Sequence, residues 1–275
     1  MTTKRNILNA LGLVGVAIFI SLASCQSSNN PQGTATSDSL NKNEITENVE
    51  AIVYPLPSPF EMTKMLNEIG AAYLVKNLNA PNKVEKYLTE KDKAINLGVY
   101  GADLAYASTY NKEQDIKIYL EPVKALIDDL GIKVDYSPLI DENLKAKLNN
   151  KDSLVKVVTN TIYETYSFLN KQNKPELSAM LVSGMWIELM YIATHISKDT
   201  YNNTQIVDIV SKQSESYNKL MELLGRYNNN KDINDIQQKL MVLKPAFDKV
   251  KSGLTEQDYS LILNTVEAVR KTFVM

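Results

Sequence analysis

The chain has 275 residues, 44% hydrophobic and 23% charged, which is the balance of a folded globular protein and excludes disorder throughout. One His and one Cys cannot assemble a His/Cys zinc site, a thiol redox pair or a disulfide framework, and no cofactor is implied. Lys and Arg number 30 against 32 Asp and Glu, and the formal charge of -2 argues against nucleic acid as the main partner.

Lys4 and Arg5 form a short positive segment ahead of an apolar run from Ala10 to Ile20. The run falls short of the roughly 20 residues that span a bilayer and fits the apolar core of a secretory signal. It ends in Leu22-Ala23-Ser24-Cys25. This string resembles the lipobox of bacterial lipoproteins, which reads Leu, two small residues, then Cys. The resemblance implies cleavage before Cys25, a diacylglyceryl group on its sulfur and a further acyl chain (palmitate in this class) on its new amine. At ~0.8 kcal/mol per buried methylene, three chains make a permanent membrane anchor. The sole Cys of the chain sits at the one place the lipobox requires it. Loss of Lys4 and Arg5 would bring the formal charge to -4. Gln26 stands where Asp marks inner-membrane retention in some lipoproteins, so the expected location is the outer membrane, facing the periplasm.

Three regions follow: a signal peptide over 1-24, a lipidated Cys with a tether over 25-50, and a folded domain over 51-275. From Gln26 to Asn43 the chain is polar, without an aromatic residue, and cannot bury enough surface to fold. As a flexible coil it reaches roughly 25–30 Å. Pro55, Pro57 and Pro59 stiffen the entry to the domain.

Beyond Ser58 the apolar spacing is helical. Ser58-Pro59-Phe60-Glu61 reads as a capping box, with Met62, Met65, Leu66, Ile69 and Tyr73 as the stripe behind it. Thr89 opens a helix to about Tyr110, and Asn111 to Gln114 opens another that Gly131 stops. A short helix is expected from Ser137 to about Leu148, a long one from Asp152 to about Leu169, and one from Pro175 to about Ile196. Asn203 opens a helix closing at Gly225, Asp232 the next, and Thr255 the last, with Tyr259, Ile262, Val266, Val269 and Phe273 as its stripe. Pro122 and Pro245 predict kinks or breaks. No period-two alternation is evident, so the fold class is all-α: a single multi-helix bundle, with an α-solenoid as the alternative, against which the missing tetratricopeptide pattern counts.

Two helices carry related strings, Asp103-Leu104-Ala105-Tyr106 and Glu188-Leu189-Met190-Tyr191, and each precedes a helix ending in Leu-Gly. A duplicated helical hairpin is one reading, and chance similarity of two amphipathic helices the other. In either case spacing of i, i+3 and i+7 puts Asp103, Tyr106 and Tyr110 on one face, and Glu188, Tyr191 and His195 on the matching face. Gly98, Gly101, Ala102, Ala105, Ser183 and Gly184 suit close helix approach, so both acids are expected in or near the core. The segment Gly98-Val99-Tyr100-Gly101-Ala102-Asp103-Leu104-Ala105-Tyr106 resembles one found in all-helical lipoproteins of the bacterial envelope, a resemblance that brings no activity with it.

A buried carboxylate must be hydrogen-bonded or paired. A tyrosine hydroxyl, a lysine or a helix terminus could satisfy these two, leaving them structural. Alternatively Asp103, Tyr106, Tyr110, Glu188, Tyr191 and His195 form a site for a small ligand or, through oxygen ligands, a cation. A single His excludes a di-iron bundle site. An acid pair could also cleave glycans, but no nucleophile elbow or phosphate loop accompanies it. The alternating charges from Lys83 to Lys93 read as a solvated helix face. The leading expectation is a lipid-anchored, non-enzymatic interaction module, with envelope proteins or a small ligand as partners.

Overall fold

The computed structural model describes residues 59–137, 151–197 and 200–274. The signal peptide, Cys25, the tether, Ser58 and the short helix expected up to Leu148 lie outside the described residues. Within them are ten α-helices and no strand. In chain order these are α1 (Pro59–Glu68), α2 (Glu90–Thr109), α3 (Glu113–Asp129), α4 (Lys151–Lys171) and α5 (Pro175–Thr194). Then come α6 (Thr204–Ser211), α7 (Ser214–Gly225), α8 (Lys231–Met241), α9 (Lys244–Phe247) and α10 (Glu256–Phe273). Between α1 and α2 runs an irregular strap with two 3-10 turns, Val75–Asn77 and Pro81–Lys86.

Local chemistry sets the helix ends. The Thr89 hydroxyl accepts the Asp92 N–H at 3.0 Å. Asn203 and Asn230 each accept two N–H groups of the first turn of α6 and α8, and Thr255 with Asp258 completes a reciprocal capping box on α10. Four helices close alike: a left-handed residue (Gly70, Asn111, Gly131 or Asn173) is followed by an N–H that reaches back five residues. The bonds are Ala71 to Leu66, Lys112 to Ala107, Ile132 to Ile127 and Lys174 to Leu169. Only Gly and Asn adopt this backbone at little cost, which is why these residues punctuate the chain.

Helices α2 and α5 form the centre. Ala94–Thr109 and Leu177–Met190 are buried on every side, as helices apolar all round must be. By length and composition α5 could cross a membrane, yet most of it is buried inside the bundle. Lys174, at the entry to α5, pairs with Glu90 at the start of α2; the glycines meet midway; Asp103 lies against Glu188 beyond them. The two helices therefore run in the same direction. Their backbones touch: a Cβ on Gly98 would stand 1.9 Å from the Leu181 carbonyl oxygen, and one on Gly184 2.0 Å from that of Ile95. Gly101 does not share this role, since a Cβ there would meet only Ile162 Cδ1 at 3.6 Å.

Several expectations are corrected. Tyr73 is not helical, because α1 ends at Glu68 and Gly70 turns the chain; its ring packs from the strap instead. Pro122 lies within an uninterrupted α3, whereas Pro245 opens α9 after a break. The stretch from Asn203 to Gly225 is two helices, broken at Lys212 and Gln213, with the buried Gln213 side chain bonded back to the Ile209 carbonyl. The charged run is not one helix face: Lys83, Glu85 and Lys86 sit in a 3-10 turn, and α2 begins at Glu90. A duplicated hairpin is not confirmed, since α3 follows α2 but two shorter helices follow α5, and Gly225 is helical where Gly131 is left-handed.

Candidate functional site

The face of α2 predicted from i, i+3 and i+7 spacing exists, extended one turn by Tyr100, and its occupant is the strap. Tyr110 donates to the Ala71 carbonyl at 3.0 Å. The Tyr106 hydroxyl donates to Ala72 O at 3.0 Å and accepts the Leu74 N–H at 3.1 Å. Asp103 Oδ2 accepts the Asn79 N–H at 3.1 Å, and Tyr100 donates to Ala80 O at 2.8 Å. The strap thus descends α2 antiparallel to it. An irregular segment cannot satisfy its own backbone groups, and this polar ladder does it instead. Tyr73 stacks on Tyr106 with ring centroids 4.8 Å apart and donates to Asp115 at 2.8 Å.

On α5, Glu188 is fully buried and held by Arg270 of α10. Arg270 Nε and Nη2 each donate to one Glu188 oxygen at 2.6 Å, a bidentate fork. Nη2 also donates to Asn77 O at 3.1 Å, and the guanidinium lies over the Tyr191 ring, 4.0 Å from its centroid. His195 stacks on the other predicted partner, Tyr191, at 4.0 Å, and its backbone carbonyl accepts from the Asn77 amide at 2.8 Å. Asn79 Nδ2 donates to the Tyr87 hydroxyl at 2.9 Å. The strap is therefore tied down from α2, α5 and α10 at once.

Asp103 and Glu188 are both fully buried, as expected for acids in the core, and lie near one another. Burial first, and then the Glu188 charge, push the Asp103 carboxyl well above its ordinary range; Arg270 and the Asn79 N–H pull the other way. Oδ1 of Asp103 has no donor within reach. Burial likewise raises Tyr106 to about 12 and lowers His195, so the phenol stays protonated and the imidazole neutral at pH 7. The two carboxyls are near enough for the charge of Glu188 to act on Asp103, with Glu188 held by Arg270 and Asp103 by the Asn79 N–H. Among the described residues no three His, Cys, Asp or Glu side chains converge as metal ligands would. The six predicted residues fall into two groups: Asp103, Glu188, Tyr191 and His195 gather around Arg270, while Tyr106 and Tyr110 hold the upper strap.

Arg270, Asn77, Asn79 and Tyr100 were not anticipated. Arg270 had a signal: the sequence holds only three arginines, and this one adjoins the buried stripe of α10. The strap asparagines had none, because their roles are set by partners remote in sequence, His195 and Arg270 for Asn77 and Asp103 for Asn79. Comparison with models of protein families, with curated proteins and with solved structures finds no match for the chain.

Proposed function

We propose that this chain is a lipid-anchored protein of the bacterial envelope whose helical domain is a non-enzymatic interaction module. The anchor rests on Leu22-Ala23-Ser24-Cys25, its preceding basic and apolar segments and the absence of any other Cys. Gln26 favours the outer membrane, with the polar tether carrying the domain into the periplasm. The observation that carries the non-enzymatic reading is the bidentate Arg270–Glu188 pair. It commits Glu188 and Arg270 to each other and to the strap carbonyl of Asn77.

Two experiments test it. Cys25→Ser should abolish palmitate labelling and release the protein from membranes; unchanged attachment sinks the anchor. Photocross-linking in cells from Leu88, 80% exposed, and separately from Val75, 52% exposed, should give an adduct of one defined mass at one position at least. Monomer alone at both positions sinks the interaction module. A second reading, a small-ligand or cation site at Asp103 and Glu188, is favoured by the partnerless Asp103 Oδ1. Native mass spectrometry decides it: a bound mass lost in Asp103→Asn and Glu188→Gln would replace the first reading.

A further inference from the structure

Among the described residues Arg270 is the one cation in an ion pair with either of the two acids, and both acids are fully buried. Glu188 spends both oxygens on the Arg270 fork. Asp103 receives one N–H, from Asn79, and its other oxygen faces no donor. As a carboxylate, Asp103 would be a second buried anion with an empty acceptor. As an acid, it gains a donor on that oxygen, with the Glu188 charge acting close by. We propose that Asp103 and Glu188 hold one proton between them, carried on Asp103 Oδ1 and donated to Glu188, and that this proton keeps the strap closed over the cluster.

The other charged and titratable groups facing the pair do not supply an alternative. Tyr100 lies on the same helix, Tyr119 on α3, Tyr191 and His195 on α5, and Tyr87 and Lys83 on the strap. The phenols of Tyr100, Tyr119 and Tyr87 are raised by burial and stay neutral, and Lys83 gives its ammonium to the Val274 carbonyl at 2.6 Å. Burial and the Glu188 charge favour the acid form of Asp103, in the same sense as the geometry. Once ionised, Asp103 needs water. Helices α2 and α5 are in backbone contact, so the irregular strap is the wall that can yield.

The linkage has a definite sign. The folded-state pKa lies above the unfolded value of about 3.9. The stabilisation is fully present below that unfolded value and is lost as pH rises through the folded-state value. Within this window the folding equilibrium constant falls tenfold for each pH unit, the signature of one proton. His195 tilts the profile oppositely below about pH 6.5, but does so with or without Asp103, so the comparison of chains isolates the acids.

The test is urea unfolding of the mature chain carrying Cys25→Ser, from about pH 5 to 9, with and without Asp103→Asn or Glu188→Gln. An amide at 103 reproduces the neutral acid: its oxygen takes the Asn79 N–H and its nitrogen donates to Glu188. The one-proton slope should vanish in Asp103→Asn. It should vanish also in Glu188→Gln, where Asp103 becomes the sole acid of Arg270, so a failure of either variant to fold leaves the other decisive. A slope equal to that of the parent chain in a folded variant overturns the shared proton. Tryptic cleavage at Lys76 and Lys83, measured against a reference peptide, should rise with pH in the parent and stay flat in Asp103→Asn. Equal pH dependence in both overturns the role of the strap.

Discussion

Replacing Gly98 by Ala places a methyl carbon 1.9 Å from the Leu181 carbonyl oxygen and 2.8 Å from the Met185 nitrogen. Ordinary contact needs about 3.4 Å, and both obstacles are mid-helix backbone, so α2 and α5 must separate by roughly 1 Å or more. A gap of that size forfeits about a quarter to a half of the dispersion energy across it. If about six side chains flank the crossing with about ten contacts each at ~0.15 kcal/mol, the loss is roughly 2–4.5 kcal/mol. Alanine returns about 1 kcal/mol of helix propensity, leaving a net destabilisation of roughly 1–3.5 kcal/mol. Gly101 supplies the control three residues on. Its added methyl meets Ile162 Cδ1 at 3.6 Å, so Gly101→Ala should stabilise by about 0.5–1 kcal/mol. Opposite signs within one helix turn are the prediction. Urea midpoints at constant slope, followed by far-ultraviolet circular dichroism, measure both. Because Gly184 faces the same gap, the Gly98→Ala/Gly184→Ala pair should cost less than the sum of its parts. A neutral Gly98→Ala, or a Gly101→Ala equally harmful, would refute the backbone contact.

Arg270→Met removes the cation that pairs with Glu188 and should destabilise by about 3–5 kcal/mol in equilibrium unfolding. Combining it with Glu188→Gln should recover part of that loss, and no recovery would count against the pair as its cause. Arg270→Lys keeps the charge but not the fork, and should fall between parent and Arg270→Met in the same assay. Burial lowers the His195 pKa, so the unfolded chain binds a proton there more readily. The stability tied to neutral His195 is complete above about pH 6.5 and lost as pH falls through the lowered value. Unfolding at about pH 7.5 and 5.5 should show this loss in the parent and less of it in His195→Gln.

What could be read from the chain alone was what neighbours in sequence decide. Thr89, Asn203 and Thr255 cap their helices because capping is completed within three residues. The face of Asp103, Tyr106 and Tyr110 followed from helical geometry. Its purpose did not, because the strap it holds has no apolar period and donates backbone groups that any residue carries. Tyr73 misled because spacing reports burial, and a ring can be buried from a strap as well as from a helix. The break at Gln213 was hidden for the same reason: apolar residues continue in step on both sides of it. Arg270 and Glu188 stand 82 residues apart, a pairing that no local pattern announces.

The pairing of α2 with α5 also sets a timetable for folding. Lys174 and Glu90 at their shared end are 84 residues apart, and neither helix can cover its apolar sides without the other. Contacts so distant in sequence pay their loop-closure entropy before they return any stabilisation, which slows folding. A chain emerging from its N-terminus therefore has the packing of α2 on α1, α3 and α4, but not on its central partner, until α5 is out, and no tie from the strap to α10 until Arg270 follows. If the chain is exported through a narrow channel, as proposed above from its lipobox, that delay would be useful. Its order of contacts keeps the chain threadable until its last third has been made.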